Sequence, residues 1–298
     1  MTTYNYIRNN KFKSYMIMLG FFLFVMLIAN ILANVYNNSG IVVGAALFAI
    51  GYAAFSYFFS DKVAIKSSGA QPVNSSEEPM LYSIVENLAI TDGIAMPKLY
   101  TIDDLSINAF ATGRDPKHAS VAVTRGALQK LSKTELEGVI AHEISHVKNY
   151  DIRVMSLVIV MVSIVSMLAD WMIRGAIFGN RSDDQKDSGS LGIVFVAVGF
   201  ILGLIAPLFA TLAQMAVSRQ REYLADASGA LLTRNPDGLA SALSKIENDH
   251  ANTQAGANSA TAAMYFNNPL LKTRSLSNLF SSHPPIASRV ERLKEMDK

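Results

Sequence analysis

The chain contains no cysteine. That excludes a disulfide framework and a thiolate metal site, so any metal must be held by His and carboxylate side chains. Charge is also scarce. Only 17% of the 298 residues are charged and half are hydrophobic, whereas a soluble globular chain carries about 25% charged residues. The shortfall points to lipid around part of the surface. There is no long basic run, and a net charge of +2 is too small to argue for nucleic acid. No internal repeat of useful period is visible.

Four apolar runs explain the missing charge. They cover residues 15–35, 41–59, 155–173 and 191–217, the third interrupted by Asp170 and the fourth by Pro207. Each is near or above the roughly 18–20 residues that cross a bilayer core as a helix. They predict four transmembrane helices in two pairs. Buried helices of a soluble protein are the competing reading, and Asp170 and Pro207 leave more room for it in the second pair. The first run is too long, and its small-x-small pattern too poor, for a cleaved signal peptide, so it reads as a retained anchor.

Flanking charge orients the spans. Arg8, Lys11 and Lys13 precede the first, and Lys62 and Lys66 follow the second, while the link between them is uncharged. The positive-inside rule puts the N-terminus and the segment after Ser60 in the cytoplasm. The chain then divides into an N-terminal hairpin (1–60), a cytoplasmic part (61–151), a second membrane pair (152–218) and a second cytoplasmic part (219–298).

Within the first cytoplasmic part, 79–89 has helical spacing, through Leu81, Ile84, Val85 and Leu88. Residues 98–102, 107–112 and 120–124 look like strands, with Arg114, Asp115, Pro116 and Lys117 supplying turn chemistry. These predict a small antiparallel sheet. In the second part a helix continues from the fourth span. Residues 248–263 read as a flexible surface loop. Pro285 then starts a final helix with Val290 and Leu293 on one face.

The chemistry lies in the segment 131–146. Ser132 with Glu135 forms a capping-box pattern that starts a helix. Leu136, Val139, Ile140, Ile144 and Val147 make one apolar stripe along it. His142 and His146 are four residues apart, which stacks two imidazoles one turn apart on one face. That spacing lets two nitrogens reach one tetrahedral ion. Glu143 falls inside the apolar stripe, where an ionised carboxylate is costly unless compensated. A zinc ion between the histidines would compensate it and place it beside a water, where a base is useful. This is the H-E-x-x-H arrangement. The bland alternative is two histidines on a polar flank, with Glu143 in a salt bridge elsewhere.

A catalytic zinc needs a third protein ligand and an open fourth position. No third His follows six residues on. Glu222 is the best candidate, with Asp226 four residues later on the same predicted helix. Glu222 can reach the metal, and Asp226 can accept a hydrogen bond from a ligand imidazole and fix its tautomer. If both later spans cross, His146 and Glu222 return to one membrane face. Alternatively Glu222 and Asp226 are ordinary charges partnered with Arg219 and Arg221.

At these residues the chain resembles the HtpX family of bacterial membrane zinc metalloproteases, related to eukaryotic prenyl-protein endopeptidases. The resemblance covers nearly the whole chain. It rests on the paired N-terminal spans, on Asn108, Ala109, Phe110, Ala111, Thr112 and Gly113, and on His142, Glu143 and His146. It extends to the second apolar pair, to Glu222 and Asp226, and to Ser282, His283, Pro284 and Pro285 followed by Arg289. It implies a gluzincin-type site holding one Zn2+ and a role in membrane-protein quality control, with misfolded membrane proteins as substrates. The expected fold is mainly α: a polytopic membrane protein with four spans and a cytoplasmic α+β zincin-like domain containing a small sheet.

The expected roles follow. His142, His146 and Glu222 hold zinc, and Glu143 takes a proton from the attacking water. His283 or Arg289 stabilises the oxyanion, although His283 also fits a polar turn. Asn108, Ala109, Phe110 and Ala111 form an edge strand for substrate backbone or an ordinary sheet strand. Asp151 orients a ligand from behind, or is a surface Asp at a helix break. His118 and His250 receive no role. Three rivals stand beside this: a zinc-stabilised membrane scaffold or adaptor without proteolysis, a transporter, and a zinc hydrolase of non-peptide substrates. The near absence of polar groups inside the spans argues against the transporter.

Overall fold

Three of the apolar runs fold as long helices in the computed structural model, which describes residues 3–178, 197–199, 201, 219–249, 265 and 284–296. Helix α1 is Thr3–Val35, α2 is Gly40–Ser67 and α6 is Asp151–Phe178. All three are long and apolar enough to cross a membrane. They pack on one another, and their roles in the bundle differ. Only 11% of the most apolar stretch of α1 and of α2 is buried within the protein, against 76% for α6. So α6 is the inner helix, and α1 and α2 turn apolar faces outward. Leu19, Leu23, Leu27 and Ile31 make an exposed stripe at every fourth position of α1, as expected for a face that meets acyl chains. Phe21, Met161, Ile164 and Val165 close the bundle core. Inside it, the Tyr52 hydroxyl donates to the Val160 carbonyl at 2.7 Å. Asp170 pairs with Arg174 one turn on, at 2.8 Å. Nearly all of the fourth predicted span, 191–217, lies outside the described residues, as does nearly all of the predicted loop 248–263.

At about 1.5 Å per residue, the 33 residues of α1 span roughly 50 Å, well beyond a hydrocarbon core of about 30 Å. Its first turns therefore project below the bundle, toward the remaining elements. These are α3 (Pro79–Asp92), α4 (Arg125–Lys130), α5 (Lys133–Lys148), α7 (Arg219–Thr233), α8 (Pro236–Glu247) and α9 (Ile286–Glu295). The sheet comprises β1 (Gln71–Pro72), β2 (Lys98–Ile102), β3 (Ala109–Gly113) and β4 (Ala119–Thr124).

The sheet order is β1-β2-β4-β3. It is mixed rather than antiparallel, which corrects the expectation from the strand pattern. Chain direction alternates from β2 to β3 to β4. However, β4 inserts between the other two, so β2 and β4 run parallel, with Lys98 opposite Ser120 and Ile102 opposite Thr124. β3 pairs with β4 antiparallel, Ala109 opposite Val123, and forms one edge.

Both faces of the sheet are covered. Ala109, Ala111, Val121 and Val123 point into a core shared with α3, α5 and α8. Phe110, Ala122 and Ile102 point the other way, to Ala64 and Ile65 of α2 and Met155 and Ile159 of α6. This is the period-2 alternation of a strand buried on both sides. It joins the sheet directly to the ends of the membrane helices.

Candidate metal centre

The sequence logic of α5 holds in detail. Ser132 Oγ accepts from Glu135 N–H, while Glu135 Oε2 accepts from Ser132 N–H at 2.7 Å, completing the capping box. Leu136, Val139, Ile140, Ile144 and Val147 are all buried. Helix α7 lies against α5 at close range, because Gly229 has no side chain. A Cβ there would sit 3.0 Å from the His142 amide nitrogen and 3.3 Å from its Cα. Glu222, Asp226 and Gly229 recur at helical spacing on that face of α7, so the contact that admits Gly229 also aims both carboxylates at α5.

Three candidate ligands converge. The two Nε2 atoms of His142 and His146 are 3.1 Å apart. Glu222 Oε1 lies 3.4 Å from His146 Nε2, and Glu222 Oε2 lies 3.7 Å from His142 Nε2. Two ligand atoms on a tetrahedral zinc with bonds of about 2.0–2.1 Å are about 3.3 Å apart, so these three edges fit one ion. Each imidazole is also held from behind. His142 Nδ1 donates to Asp226 Oδ1 at 2.9 Å, and His146 Nδ1 donates to Asp151 Oδ2 at 2.9 Å. Both bonds leave Nε2 as the ligating nitrogen.

The electrostatics ask for a cation. Burial pulls the His142 pKa down to about 4, against the pull of Asp226. That favours the neutral imidazole, the form able to ligate a metal. Burial works against charge on His146 too, but hydrogen bonds and charge from Asp151 and Glu222 outweigh it and raise its pKa well above the usual imidazole range. Burial alone would raise Asp226. The Arg289 guanidinium overcomes this and holds it at about 2. Glu143, Asp151, Glu222 and Asp226 are buried together with Arg221 and Arg289. Four carboxylates thus face two guanidinium groups and the proton that Asp151 and Glu222 draw onto His146, and a divalent cation in place of that proton would restore the balance that burial demands.

Glu143 is also buried, and its Oε2 accepts the Ala111 N–H of β3 at 2.9 Å. Thr124 N–H donates to the Asn108 carbonyl across the ladder, so the intervening Ala109 and Ala111 turn N–H and C=O away from β4. The edge of β3 therefore faces the candidate base. Asn108, Ala109, Phe110 and Ala111 are themselves buried.

Arg289, on α9, is buried and grips Asp226 at two points, 2.8 and 2.6 Å. It lies 3.8 Å from Glu222 Oε2. His283 lies outside the described residues. His118 pairs with Asp115 in the turn after β3, far in sequence from the cluster. Three contributors carry no site signal in the sequence beyond their residue type. Arg221 reaches Asp151 Oδ1 at 2.8 Å; Asn10 reaches the same atom at 2.6 Å from α1; Gly229 sets the spacing of two helices.

Three facing candidate ligands with a carboxylate beside them, set below a bundle of apolar helices, are the arrangement of a membrane metallopeptidase. Comparison with known proteins gives the family. Residues 75–297 match the model of peptidase family M48, and the chain belongs to that family. Along almost its full length it is similar to the "Protease HtpX homolog" of Tropheryma whipplei strain Twist, 45% identical over 297 residues and covering 98% of both chains. It is 44% identical over 299 residues to that of Listeria monocytogenes serotype 4a strain HCC23, covering 96% of this chain and 97% of the relative. In fold it is similar to the crystal structure of S. mikatae Ste24p, with a TM-score of 0.50 at 18% identity, covering 97% of this chain and 66% of that one. The protein is a membrane metalloprotease, and the readings as scaffold, transporter or non-peptide hydrolase are set aside.

Proposed function

We propose that the chain is a zinc-dependent endopeptidase that cleaves misfolded or damaged membrane proteins at the cytoplasmic face of a bacterial cell membrane. The observation that carries this is the triangle of His142, His146 and Glu222 with edges of 3.1, 3.4 and 3.7 Å, set beside the buried carboxylate of Glu143. A zinc ion held by these three residues would supply a Lewis acid, lowering the pKa of a water toward about 7 and favouring attack on the scissile carbonyl. Glu143 takes the proton of the attacking water and passes it to the leaving amine. Asp226 and Asp151 hold the two imidazoles in their ligating tautomer. Arg289, buried and committed to Asp226 on two bonds, supports the ligand set by neutralising it. A part for it as oxyanion donor would need one of those bonds released.

The course of β3 supports this substrate class. Its outward edge passes Glu143 and ends at Gly113, whose N–H donates to Ser156 Oγ on α6. Next to it Arg114 lies over Phe58 at 5.2 Å, and Arg153 over Tyr57 at 5.3 Å. Cations over aromatic rings at the ends of apolar helices mark the bilayer surface. An extended segment paired along β3 would thus run from the metal toward the membrane, which suits unfolded membrane proteins. Arg8, Lys11, Lys13, Lys62 and Lys66 cluster at the end of α1 and α2 that carries the metal centre, which supports a cytoplasmic site.

The test is cleavage of an unfolded membrane protein by the purified chain in detergent. Chelation should abolish cleavage and stoichiometric zinc should restore it. Undiminished cleavage after complete metal removal would refute the assignment.

A further inference from the structure

The loop that turns α5 into α6 is held by a helix from the membrane bundle. Tyr150 sits there at φ +62°, the left-handed region that costs a non-glycine residue roughly 1 kcal/mol or more. Two neighbouring residues of α1 brace it. Asn10, 1% exposed, donates through one amide nitrogen to the Asn149 carbonyl at 2.7 Å and to Asp151 Oδ1 at 2.6 Å. The Lys11 ammonium lies 4.4 Å from the Tyr150 ring centroid. The other oxygen of Asp151 accepts from His146 Nδ1. A chain of two hydrogen bonds thus runs from α1 to a candidate metal ligand. Arg221 is the second anchor of Asp151, and it comes from α7, the helix that carries Glu222.

We propose that Asn10 is a positioning residue: through Asp151 it sets the orientation of the His146 imidazole, so that α1 is part of the frame of the metal centre as well as an anchor. The proposal rests on the zinc reading above. The physical reason is directional. A carboxylate held at one oxygen by a guanidinium alone can pivot about that contact. A second donor from a different helix fixes its plane, and with it the line of the His146 Nδ1 bond. Nothing in the peptidase chemistry itself calls for an amide in the first turns of a membrane helix. Yet this one is buried against the loop where the H-E-x-x-H helix ends.

The test uses the full chain in detergent and reads zinc affinity by competition with a chromophoric chelator. The visible absorption of the cobalt-substituted protein serves as a second readout of ligand geometry. Asn10→Ala and the volume-preserving Asn10→Leu should each raise the zinc Kd by about 3- to 10-fold, below the roughly 10- to 100-fold typical of losing an outer carboxylate itself. Both should also shift the cobalt spectrum. Ser14→Ala is the packing control. Ser14 is buried on α1 one turn from Asn10 and bonds only to its carbonyl among the described contacts, so zinc affinity should stay at the wild-type value. In an Asp151→Ala background, Asn10→Ala should add less than about twofold, because the path it acts through is already cut. If Asn10→Ala does not fold, Asn10→Leu carries the same comparison. Wild-type zinc affinity in the folded Asn10 variants would overturn the proposal, as would a full multiplicative effect on top of Asp151→Ala. Failure of the wild-type chain to bind zinc would instead bring down the peptidase reading itself.

Discussion

Glu143 Oε2 and the Ala111 amide are joined by a 2.9 Å hydrogen bond, so the candidate base on α5 is tied to the edge strand proposed to pair with substrate. The bond separates two parts that Glu143 could play. Glutamine can still accept from Ala111 but cannot take a proton from water. Glu143→Gln should therefore keep the fold and bind zinc within about twofold of wild type. Its kcat should drop by about 10²- to 10⁴-fold, the usual contribution of a general base. Zinc content by mass spectrometry and single-turnover cleavage check the two halves. Retained turnover would remove Glu143 from the base role.

Glu222 should matter in the opposite way. Without it, the two imidazole nitrogens remain 3.1 Å apart, but a third ligand is missing and Arg289 loses a neighbouring negative charge at 3.8 Å. Glu222→Ala should release zinc, with affinity weakened by more than the roughly 100-fold seen for outer partners. Asp226→Asn should weaken it by about 10- to 100-fold. Equilibrium dialysis with both variants ranks the two carboxylates. A ranking with Asp226 above Glu222 would contradict the ligand assignment.

Much of this site is legible along the chain, for a physical reason. A helix period places His142, Glu143 and His146 without knowledge of the rest, and the capping box marks where that helix begins. Glu222 is further off; along the chain it comes near only on the expectation that both later apolar runs cross, whereas in the structure the close contact of α7 with α5 at Gly229 brings it there. Sheet order is not legible in this way. The alternation of Ala109, Phe110 and Ala111 says which faces are buried, but not that β4 lies between β2 and β3. Burial of single charges is equally hidden. Arg289 reads as a candidate oxyanion donor on the last helix, and only packing shows that Asp226 takes both ends of its fork. Asn10 is one polar residue at the start of an apolar helix, where a solvated flank is the ordinary expectation. Helix α8 does carry signals: the Asn235 side chain accepts from Gly238 N–H, and Leu239, Leu243 and Ile246 make one buried face.

Glu135 links the start of α5 to α8, and its contribution should depend on pH. Burial would raise its pKa, but hydrogen bonds from Lys245, Ser241 and Ser132 outweigh that and bring it down to about 2 from 4.5. A depressed carboxylate stabilises the fold above its unfolded pKa, and that stability is lost as pH falls through the folded value. At pH 7, Glu135→Gln should cost about 1.5–3 kcal/mol, the range for a hydrogen bond to a charged group. The gap in melting temperature between wild type and variant should then narrow from about pH 4.5 toward pH 2, the window set by the two pKa values. A gap that stays constant down to pH 3 would show that the charge of Glu135 is not what stabilises this corner.

Gly229 offers a test of what sets the metal distance. An added Cβ would meet the backbone of Ala141 and His142 at 3.0–3.3 Å, and helix backbone cannot rotate aside as a side chain can. Alanine forces a shift of a few tenths of an ångström. Leucine forces α7 away from α5, at a cost of about 1–3 kcal/mol for overpacking. Since α7 carries Glu222, the shift should open the ligand triangle. Zinc affinity should therefore fall from wild type to Gly229→Ala, and further to Gly229→Leu. Gly20 is the control, because an added Cβ there meets nothing within 4 Å. Gly20→Ala should leave zinc binding unchanged and favour α1 by about 0.5–1 kcal/mol through helix propensity. Full zinc affinity in a folded Gly229→Leu protein would mean that Glu222 reaches the histidines by side-chain freedom, and that the close approach of the two helices serves packing alone.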